Sequence, residues 1–245
     1  MSEGSGVLEA LGLTKRYGTV VALDGVDFTV AAGDVFCLLG ANGAGKTTAI
    51  HTFLGFTRPD AGTARVEEID VAADPVAARA RVAFVPEQVA LYPTLSGLEN
   101  LAYFSGLAAN ARAPARDLQR VLDDFGLPEI VARAPAETYS RGTRQRVGLA
   151  IAAARRAQAL LLDEPASGLD PRAASDFTAR VRRLAGEGAA VLMTTHDLFG
   201  AKALGTRVGI LARGRLVATL RADELSHADL EDVYFKLTAE PPSSR

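Results

Sequence analysis

The nine residues from position 40 to position 48 constrain the fold more than any other part of this chain. They are Gly40, Ala41, Asn42, Gly43, Ala44, Gly45, Lys46, Thr47 and Thr48, and they fit the pattern G-x-x-x-x-G-K-[ST]. An apolar run precedes them and a helical pattern follows, which is the strand–loop–helix context of a phosphate-binding loop. Glycines let successive backbone N–H groups converge on an anion, and the following helix adds the positive end of its dipole. The alternative is a glycine-rich turn before an ordinary helix, and the strand–helix context favours the nucleotide site.

Composition sets wider limits on the chain. With 245 residues, 48% hydrophobic and 23% charged, it predicts one large α/β domain or two small ones. The net charge of −2 provides no basic field, so we expect no nucleic-acid partner. The single cysteine, Cys37, lies in the apolar run before the loop and is expected to pack as a small hydrophobe. The longest stretch without charge, 100–111, is far short of the roughly 18 apolar residues of a membrane span, so a membrane role would require a partner chain.

The hydrophobic pattern predicts a strand-bearing chain that is interrupted by a helical region. The predicted strands are 7–13, 25–30, 63–66, 82–85, 159–162 and 189–193, followed by a hairpin of 208–211 with 215–218. From about 91 to 135 only helices are expected, at 100–109 and 115–125, and Ser96 and Glu99 have the spacing of a capping box. Further helices are expected at 142–156 and 171–185. We expect 1–6 to be flexible and 221–245 to form a short helix with a polar tail.

Two adjacent carboxylates, Asp163 and Glu164, end the apolar strand 159–162. Ligand sites in open α/β sheets lie at this end of the strands. Asp163 has the position of the acid that holds Mg²⁺ in P-loop NTPases, and Glu164 is suited to orient or deprotonate an attacking water. Without the loop at 40–48, a pair of solvated carboxylates would be the better interpretation.

Two further residues gain meaning from their positions. His196 follows the strand 189–193 and would also lie at a carboxyl-terminal edge, where an imidazole can donate to a γ-phosphate. Tyr17 could stack on a base or could simply end a strand. His51 and His227 have no such context.

The ordered set of motifs resembles the nucleotide-binding subunits of ATP-binding cassette (ABC) transporters over roughly residues 7–220. The motifs are the loop 40–48, the Pro86-Glu87-Gln88 loop, the segment 139–146, Asp163-Glu164, the segment 167–170 and His196. The resemblance implies an α/β P-loop NTPase fold with a RecA-like core, an antiparallel β subdomain and an inserted α-helical subdomain at about 92–140.

The same resemblance implies the roles of individual residues, with ATP and Mg²⁺ as the bound groups. Lys46 would contact the β- and γ-phosphates, Tyr17 would stack on adenine, and Glu164 and His196 would act in catalysis. Ser140, Arg141 and Gly142 lie in the signature loop, which binds the γ-phosphate of ATP held by the other protomer. Asp170 matches the loop that couples the two sites, while Thr47, Asp163 and Glu87 match the Mg²⁺ surroundings.

Two positions depart from the family pattern. The usual signature is Leu-Ser-Gly-Gly-Gln, whereas this chain reads Tyr139-Ser140-Arg141-Gly142-Thr143; the retained Ser and second Gly would still supply the phosphate contacts. Glu87 stands where the family has a metal-contacting Gln, unless Gln88 shifts by one residue into that role. We expect Glu87 to take it.

The resemblance therefore implies an ATPase that closes head-to-tail with a second ABC subunit, expected to be an identical copy, over two ATP·Mg²⁺. It would drive a separately encoded integral membrane permease, more in the manner of exporters than importers, from the cytoplasmic face of the membrane. One alternative is an ABC ATPase acting on DNA or ribosomes without a permease, although no second cassette or basic linker is present. Another is a regulatory module that binds nucleotide without hydrolysis, against which Glu164 argues. A P-loop GTPase is disfavoured because no Asn-Lys-x-Asp motif occurs.

Overall fold

The computed structural model describes residues 6–107 and 114–238. Predictions that fall on 1–5, 108–113 and 239–245, including the polar tail, lie outside the described residues. The strands are β1 (Leu8–Tyr17), β2 (Val20–Val30), β3 (Val35–Leu39), β4 (Ala61–Val66), β5 (Ile69–Asp70), β6 (Val82–Val85), β7 (Ala159–Asp163), β8 (Ala190–Thr195), β9 (Arg207–Ala212) and β10 (Arg215–Arg221). The helices are α1 (Lys46–Phe53), α2 (Pro75–Ala80), α3 (Gly97–Gly106), α4 (Ala115–Asp124), α5 (Glu129–Ala132), α6 (Arg141–Ala154), α7 (Pro171–Gly186), α8 (Leu198–Leu204) and α9 (His227–Thr238).

The larger sheet has six strands in the order β10-β9-β3-β8-β7-β6. Neighbouring strands from β9 to β6 run parallel, and β10 is added antiparallel to β9. The carboxyl ends of parallel strands share one edge of a sheet. The residues that follow β3, β7 and β8 therefore meet at that edge, where ligands bind in open α/β folds.

The central strands of the larger sheet are buried on both faces, as the continuous apolar sequence of β3 indicates, whereas the edge strand β10 is exposed at alternate residues. All five residues of β3 are buried. Val35, Cys37 and Leu39 belong to one hydrophobic cluster, and Phe36 and Leu38 belong to another. This alternation follows from the two-residue period of a strand, and it places a core on each side of the sheet.

The smaller sheet is antiparallel, with the order β2-β1-β4-β5, and confirms the predicted antiparallel part of the fold. Phe28 of β2 stacks on Phe36 of β3 with ring centroids 5.0 Å apart. Phe28 also contacts Phe53 of α1, at 5.9 Å between centroids. These rings fix the smaller sheet against the helix that follows the glycine-rich loop.

The described elements between β6 and β7 are all helical, as the sequence predicts. The capping box is present, because Ser96 Oγ accepts from the Glu99 amide at 3.2 Å and Glu99 Oε2 accepts from the Ser96 amide at 2.8 Å. The helix that it opens begins at Gly97, three residues before the predicted start, because a capping box places its first helical residue directly after the Ser. Across residues 6–107 and 114–238, none of the helices has the length and apolar character needed to cross a lipid bilayer.

Several elements differ from the prediction, and β2 begins at Val20 instead of at residue 25. β1 extends to Tyr17 instead of ending at Leu13, because Lys15, Arg16 and Tyr17 remain paired with β2. The short helices α2 and α8 were not predicted, although Asp74 and Asp197 cap them by accepting from first-turn amides. The signature-loop helix begins at Arg141, one residue before its predicted start, with Ser140 as its cap.

Candidate nucleotide site

The loop between β3 and α1 has the backbone form that a phosphate cradle requires. Gly43 and Gly45 adopt positive φ angles of 80° and 109°, which disfavour residues with a side chain. Gly45 is the N-cap of α1 and provides no side-chain acceptor to the first turn. The amides of that turn are thus oriented toward the position of an anion.

The ammonium of Lys46 lies at the centre of the loop and is 6% exposed. Its Nζ donates to the carbonyl oxygens of Gly40 at 2.6 Å and Ala41 at 3.2 Å. Nζ also lies 3.0 Å from Oε1 of Glu164, which is an ion-pair distance without hydrogen-bond geometry. The structure thus brings the predicted phosphate contact and the predicted catalytic carboxylate together.

Asp163 and Thr47 are neighbours although 116 residues separate them in the chain. The Thr47 hydroxyl donates to Asp163 Oδ1 at 3.3 Å. Asp163 is buried at the end of β7, whereas Thr47 is exposed at the start of α1. A hydroxyl and a carboxylate are hard oxygen donors, and Mg²⁺ is held in nucleotide sites by one or two protein oxygens together with water and phosphate oxygens. The residues present therefore fit this ion, which would neutralise phosphate charge when bound.

Glu164 and His196 form a second contact at the same edge. His196 Nδ1 lies 2.8 Å from Glu164 Oε2, with the imidazole about half exposed and the carboxylate largely buried. Glu164 has a φ of 46°, an uncommon conformation for a residue with a side chain. Uncommon backbone conformations persist where the surroundings hold them, and they concentrate at functional sites.

The signature-loop residues cap α6 and face the start of α7. Ser140 is exposed, and its Oγ accepts from the Thr143 amide at 3.2 Å. Gly142 lies near Ala173, since a Cβ added to Gly142 would be 3.5 Å from the Ala173 Cβ. Asp170 caps α7, and its Oδ1 accepts from the amides of Arg172 and Ala173.

Tyr139, which replaces the usual Leu, is accommodated by the helical region. Its side chain is buried, and its hydroxyl accepts from the Gly97 amide at 3.0 Å and donates to the Val131 carbonyl at 2.6 Å. Burial raises the pKa of the Tyr139 phenol above its usual value, with a smaller opposing effect of the Gly97 amide. A phenol with both hydrogen bonds made can replace an apolar side chain in a core.

Tyr17 ends β1 with its ring about half exposed. Its hydroxyl lies 3.2 Å from Thr57 Oγ1, and Lys15 Nζ lies 5.4 Å from the ring centroid. Asp60 accepts from the Arg16 amide at 2.6 Å and from Lys15 Nζ at 3.0 Å. These contacts attach the end of β1 to the loop after α1.

Glu87 and Gln88 are both exposed in the loop after β6. Glu87 Oε1 lies 3.3 Å from Arg141 Nη2, and the Glu87 carbonyl accepts from Gln145 Nε2 at 2.8 Å. In the described part of the chain, the hydrogen bonds and ion pairs of Glu87 are with these residues and not with Thr47 or Asp163.

Sequence reasoning missed two side chains that support the site, Thr194 and Thr57. Thr194 contacts both Asp163 and Glu164 from the neighbouring strand. The only signal in the sequence is a polar residue near the end of an otherwise apolar strand. Thr57 lies in a segment that the sequence marks only as leading into a turn.

A buried lysine within a glycine loop, a hydroxyl–carboxylate pair and a second carboxylate at one sheet edge define a P-loop nucleotide hydrolase. The family described as ABC transporter matches residues 23–167. The chain belongs to this family and contains its ATPase domain.

Relatives and a solved structure agree with this assignment. The chain is 41% identical over 218 residues to the daunorubicin resistance ATP-binding protein DrrA3 of Streptomyces coeruleorubidus, a match that covers 87% of this chain and 68% of that protein. It is 38% identical over 219 residues to the daunorubicin/doxorubicin resistance ATP-binding protein DrrA of Streptomyces peucetius, covering 89% and 66%. The chain thus spans about two thirds of the length of these relatives. A solved ATP-binding subunit of an ABC transporter superimposes with a TM-score of 0.83 at 30% identity, covering 95% of this chain and 99% of that one.

Proposed function

We propose that this chain binds ATP with Mg²⁺, pairs head-to-tail with a second copy, and hydrolyses ATP to power export through a separate membrane permease. The observation that carries the proposal is the meeting of Lys46, Glu164 and His196 beside the Thr47–Asp163 pair. The relatives named for drug resistance support export as the direction.

We assign each step of binding and hydrolysis to particular residues of the chain. The loop amides of 40–48 and the Lys46 ammonium would bind the β- and γ-phosphates, and Thr47 with Asp163 would hold Mg²⁺. Glu164 lies within ion-pair distance of Lys46, which supports a role in orienting a water beside the γ-phosphate and taking its proton. His196 contacts Glu164 through Nδ1, and its other ring nitrogen would donate to a phosphate oxygen when the imidazole carries both protons.

The composite site needs a second copy. Ser140 and Gly142 lie at the exposed start of α6, where a helix N-terminus can bind the γ-phosphate of the partner's ATP. Asp170 would align the two sites, and Tyr17 would stack on adenine. For Glu87 to contact Mg²⁺, it would have to exchange the Arg141 guanidinium for the ion.

The permease would contact the helical region and the loop around Glu87, and this contact would keep the chain at the cytoplasmic face of the membrane. Exposed aromatic side chains support this placement. Tyr92 and Tyr103 are 46% and 44% exposed, and their rings pack edge to face at 4.9 Å. Exposed apolar groups that cluster indicate an interaction surface.

The test compares ATP turnover and oligomeric state in wild type, Glu164→Gln and the control Glu187→Gln, whose side chain is 64% exposed at the end of α7. We expect Glu164→Gln to lose at least about 100-fold in turnover, because the amide cannot accept the water proton. We also expect it to accumulate as an ATP-bound dimer in light scattering. The control should retain wild-type turnover. Wild-type turnover in Glu164→Gln would contradict the proposed mechanism.

A further inference from the structure

Thr194 is a fully buried hydroxyl that joins the two acidic residues of the site. It lies on β8 directly beside Asp163 of β7 in the parallel register, with no exposed surface. Its Oγ1 donates to Asp163 Oδ1 at 2.5 Å. The same Oγ1 accepts from the Glu164 amide at 3.0 Å. The Thr194 hydroxyl thus donates to the last residue of β7 and accepts from the residue that follows the strand.

The first contact fixes the Asp163 carboxylate. Asp163 Oδ1 receives the Thr194 hydroxyl from the side of the sheet and the Thr47 hydroxyl from α1, at 2.5 Å and 3.3 Å. Hydrogen bonds to a charged acceptor are shorter and stronger than those between neutral groups. The Thr194 contact is the shorter of the two and comes from a buried central strand, so it is the stronger constraint on the position of Oδ1.

The second contact fixes the backbone of Glu164. Its amide approaches both the Thr194 hydroxyl, at 3.0 Å, and the Thr194 carbonyl, at 3.2 Å. These bonds hold Glu164 at a φ of 46°, and in that conformation its carboxylate lies between Lys46 and His196. A valine of the same shape would continue the apolar sequence of β8 but could make neither side-chain contact.

We propose that Thr194 is a positioning residue that sets the orientation of Asp163 toward Mg²⁺ and of Glu164 toward the attacking water. The inference rests on the proposed function, since it assigns Thr194 to the same site. Groups that orient a metal-holding residue typically change metal affinity or activity by about 10- to 100-fold when they are removed.

The experiment measures Mn²⁺ affinity by electron paramagnetic resonance in the presence of ATPγS, together with thermal unfolding. The variants are Thr194→Val, which removes the hydroxyl, and Thr194→Ser, which retains it. Thr195→Val is the control, since Thr195 is also buried on β8 but its hydroxyl accepts from the Asp197 amide. If Thr194→Val does not fold, Thr194→Ala replaces it.

We expect Thr194→Val to weaken Mn²⁺ binding by about 10- to 100-fold, with Thr194→Ser within about threefold and Thr195→Val within about twofold of wild type. A folded Thr194→Val with wild-type Mn²⁺ affinity would overturn the proposal. So would an equal loss in Thr194→Ser, because the hydroxyl would then not be the cause. If wild type itself bound no Mn²⁺ with ATPγS, the proposed function and this inference would both fail. If wild type bound Mn²⁺ and Thr194→Val bound it equally well, this inference alone would fail.

Discussion

Three glycines in the loop before α1 allow two costs of adding a side chain to be measured separately. One is the cost of a left-handed backbone conformation, and the other is the cost of steric overlap with a neighbouring backbone atom. At Gly43, φ is 80° and a Cβ would meet nothing within 4 Å. At Gly40, φ lies outside the left-handed range, but a Cβ would lie 2.4 Å from the Leu211 carbonyl oxygen. At Gly45, φ is 109° and a Cβ would lie 2.1 Å from the Ala22 carbonyl oxygen. Gly45→Ala should therefore combine the conformational cost with the steric one.

The magnitudes follow from the geometry. A left-handed conformation costs an L-residue about 1–2 kcal/mol, which is the expected loss of unfolding free energy in Gly43→Ala. Overpacking costs about 1–3 kcal/mol, which is the expected loss in Gly40→Ala, because a carbonyl oxygen of the backbone cannot rotate away as a side chain can. Gly45→Ala should lose about 2–5 kcal/mol, a large part of the roughly 5–15 kcal/mol that stabilises a folded protein.

Thermal unfolding without nucleotide, followed by circular dichroism, tests these values. In a chain of this size each kcal/mol shifts the midpoint by about 2–4 °C, so we expect a loss of about 4–20 °C in Gly45→Ala. Gly43→Ala should lose about 2–8 °C and Gly40→Ala about 2–12 °C. Equal shifts for Gly45→Ala and Gly43→Ala would refute the steric argument, since the contact with Ala22 is what distinguishes these two positions.

Two further predictions concern single titratable groups. Burial, with a smaller effect of the Asp34 carboxylate, raises the pKa of the Cys37 thiol. Cys37 should therefore resist iodoacetamide in the folded protein and react only after unfolding, as measured by mass spectrometry. Rapid labelling of the native protein would contradict its burial. The Arg16 amide and then the Lys15 ammonium lower the pKa of the Asp60 carboxyl from 3.8. The Asp60 carboxylate therefore stabilises the folded protein above that pH, and its contribution is lost as the pH falls through the folded pKa. Urea unfolding should therefore show a deficit of Asp60→Asn against wild type at neutral pH that shrinks in acid, whereas a deficit independent of pH would show that the charge is not its cause.

The glycine-rich loop and the apolar strands could be predicted because their signals are local. The run of apolar residues at 35–39 and the glycines after it determine a strand and a phosphate loop from their own chemistry. Ser96 and Glu99 likewise indicate locally that a helix follows, although its first residue was predicted three positions too late. The acidic pair 163–164 is recognised from its position at the end of an apolar strand together with the glycine-rich loop at 40–48.

The remaining features depend on contacts between distant parts of the chain. The charged residues Lys15 and Arg16 are atypical of a strand, and β1 includes them because β2 continues to pair beside them. Thr194 reaches Asp163 only through the register of β7 with β8, 31 residues apart. Nothing in the local sequence distinguishes its hydroxyl from that of Thr195.

The two departures from the family pattern, which look independent in the sequence, are a single interaction in space. Arg141 stands where the usual signature has Gly, and Glu87 stands where a Gln is usual; 54 residues apart, their side chains lie 3.3 Å apart as an ion pair. Arg141 also fills the space beside Gly168, whose added Cβ would lie 3.0 Å from its Nη1. A partly exposed pair of this kind contributes only about 0–1 kcal/mol to stability, so its consequence lies in position rather than stability. It ties the signature loop to the loop after β6 and to the segment before Asp170, the three loops through which the proposed dimer and permease would act.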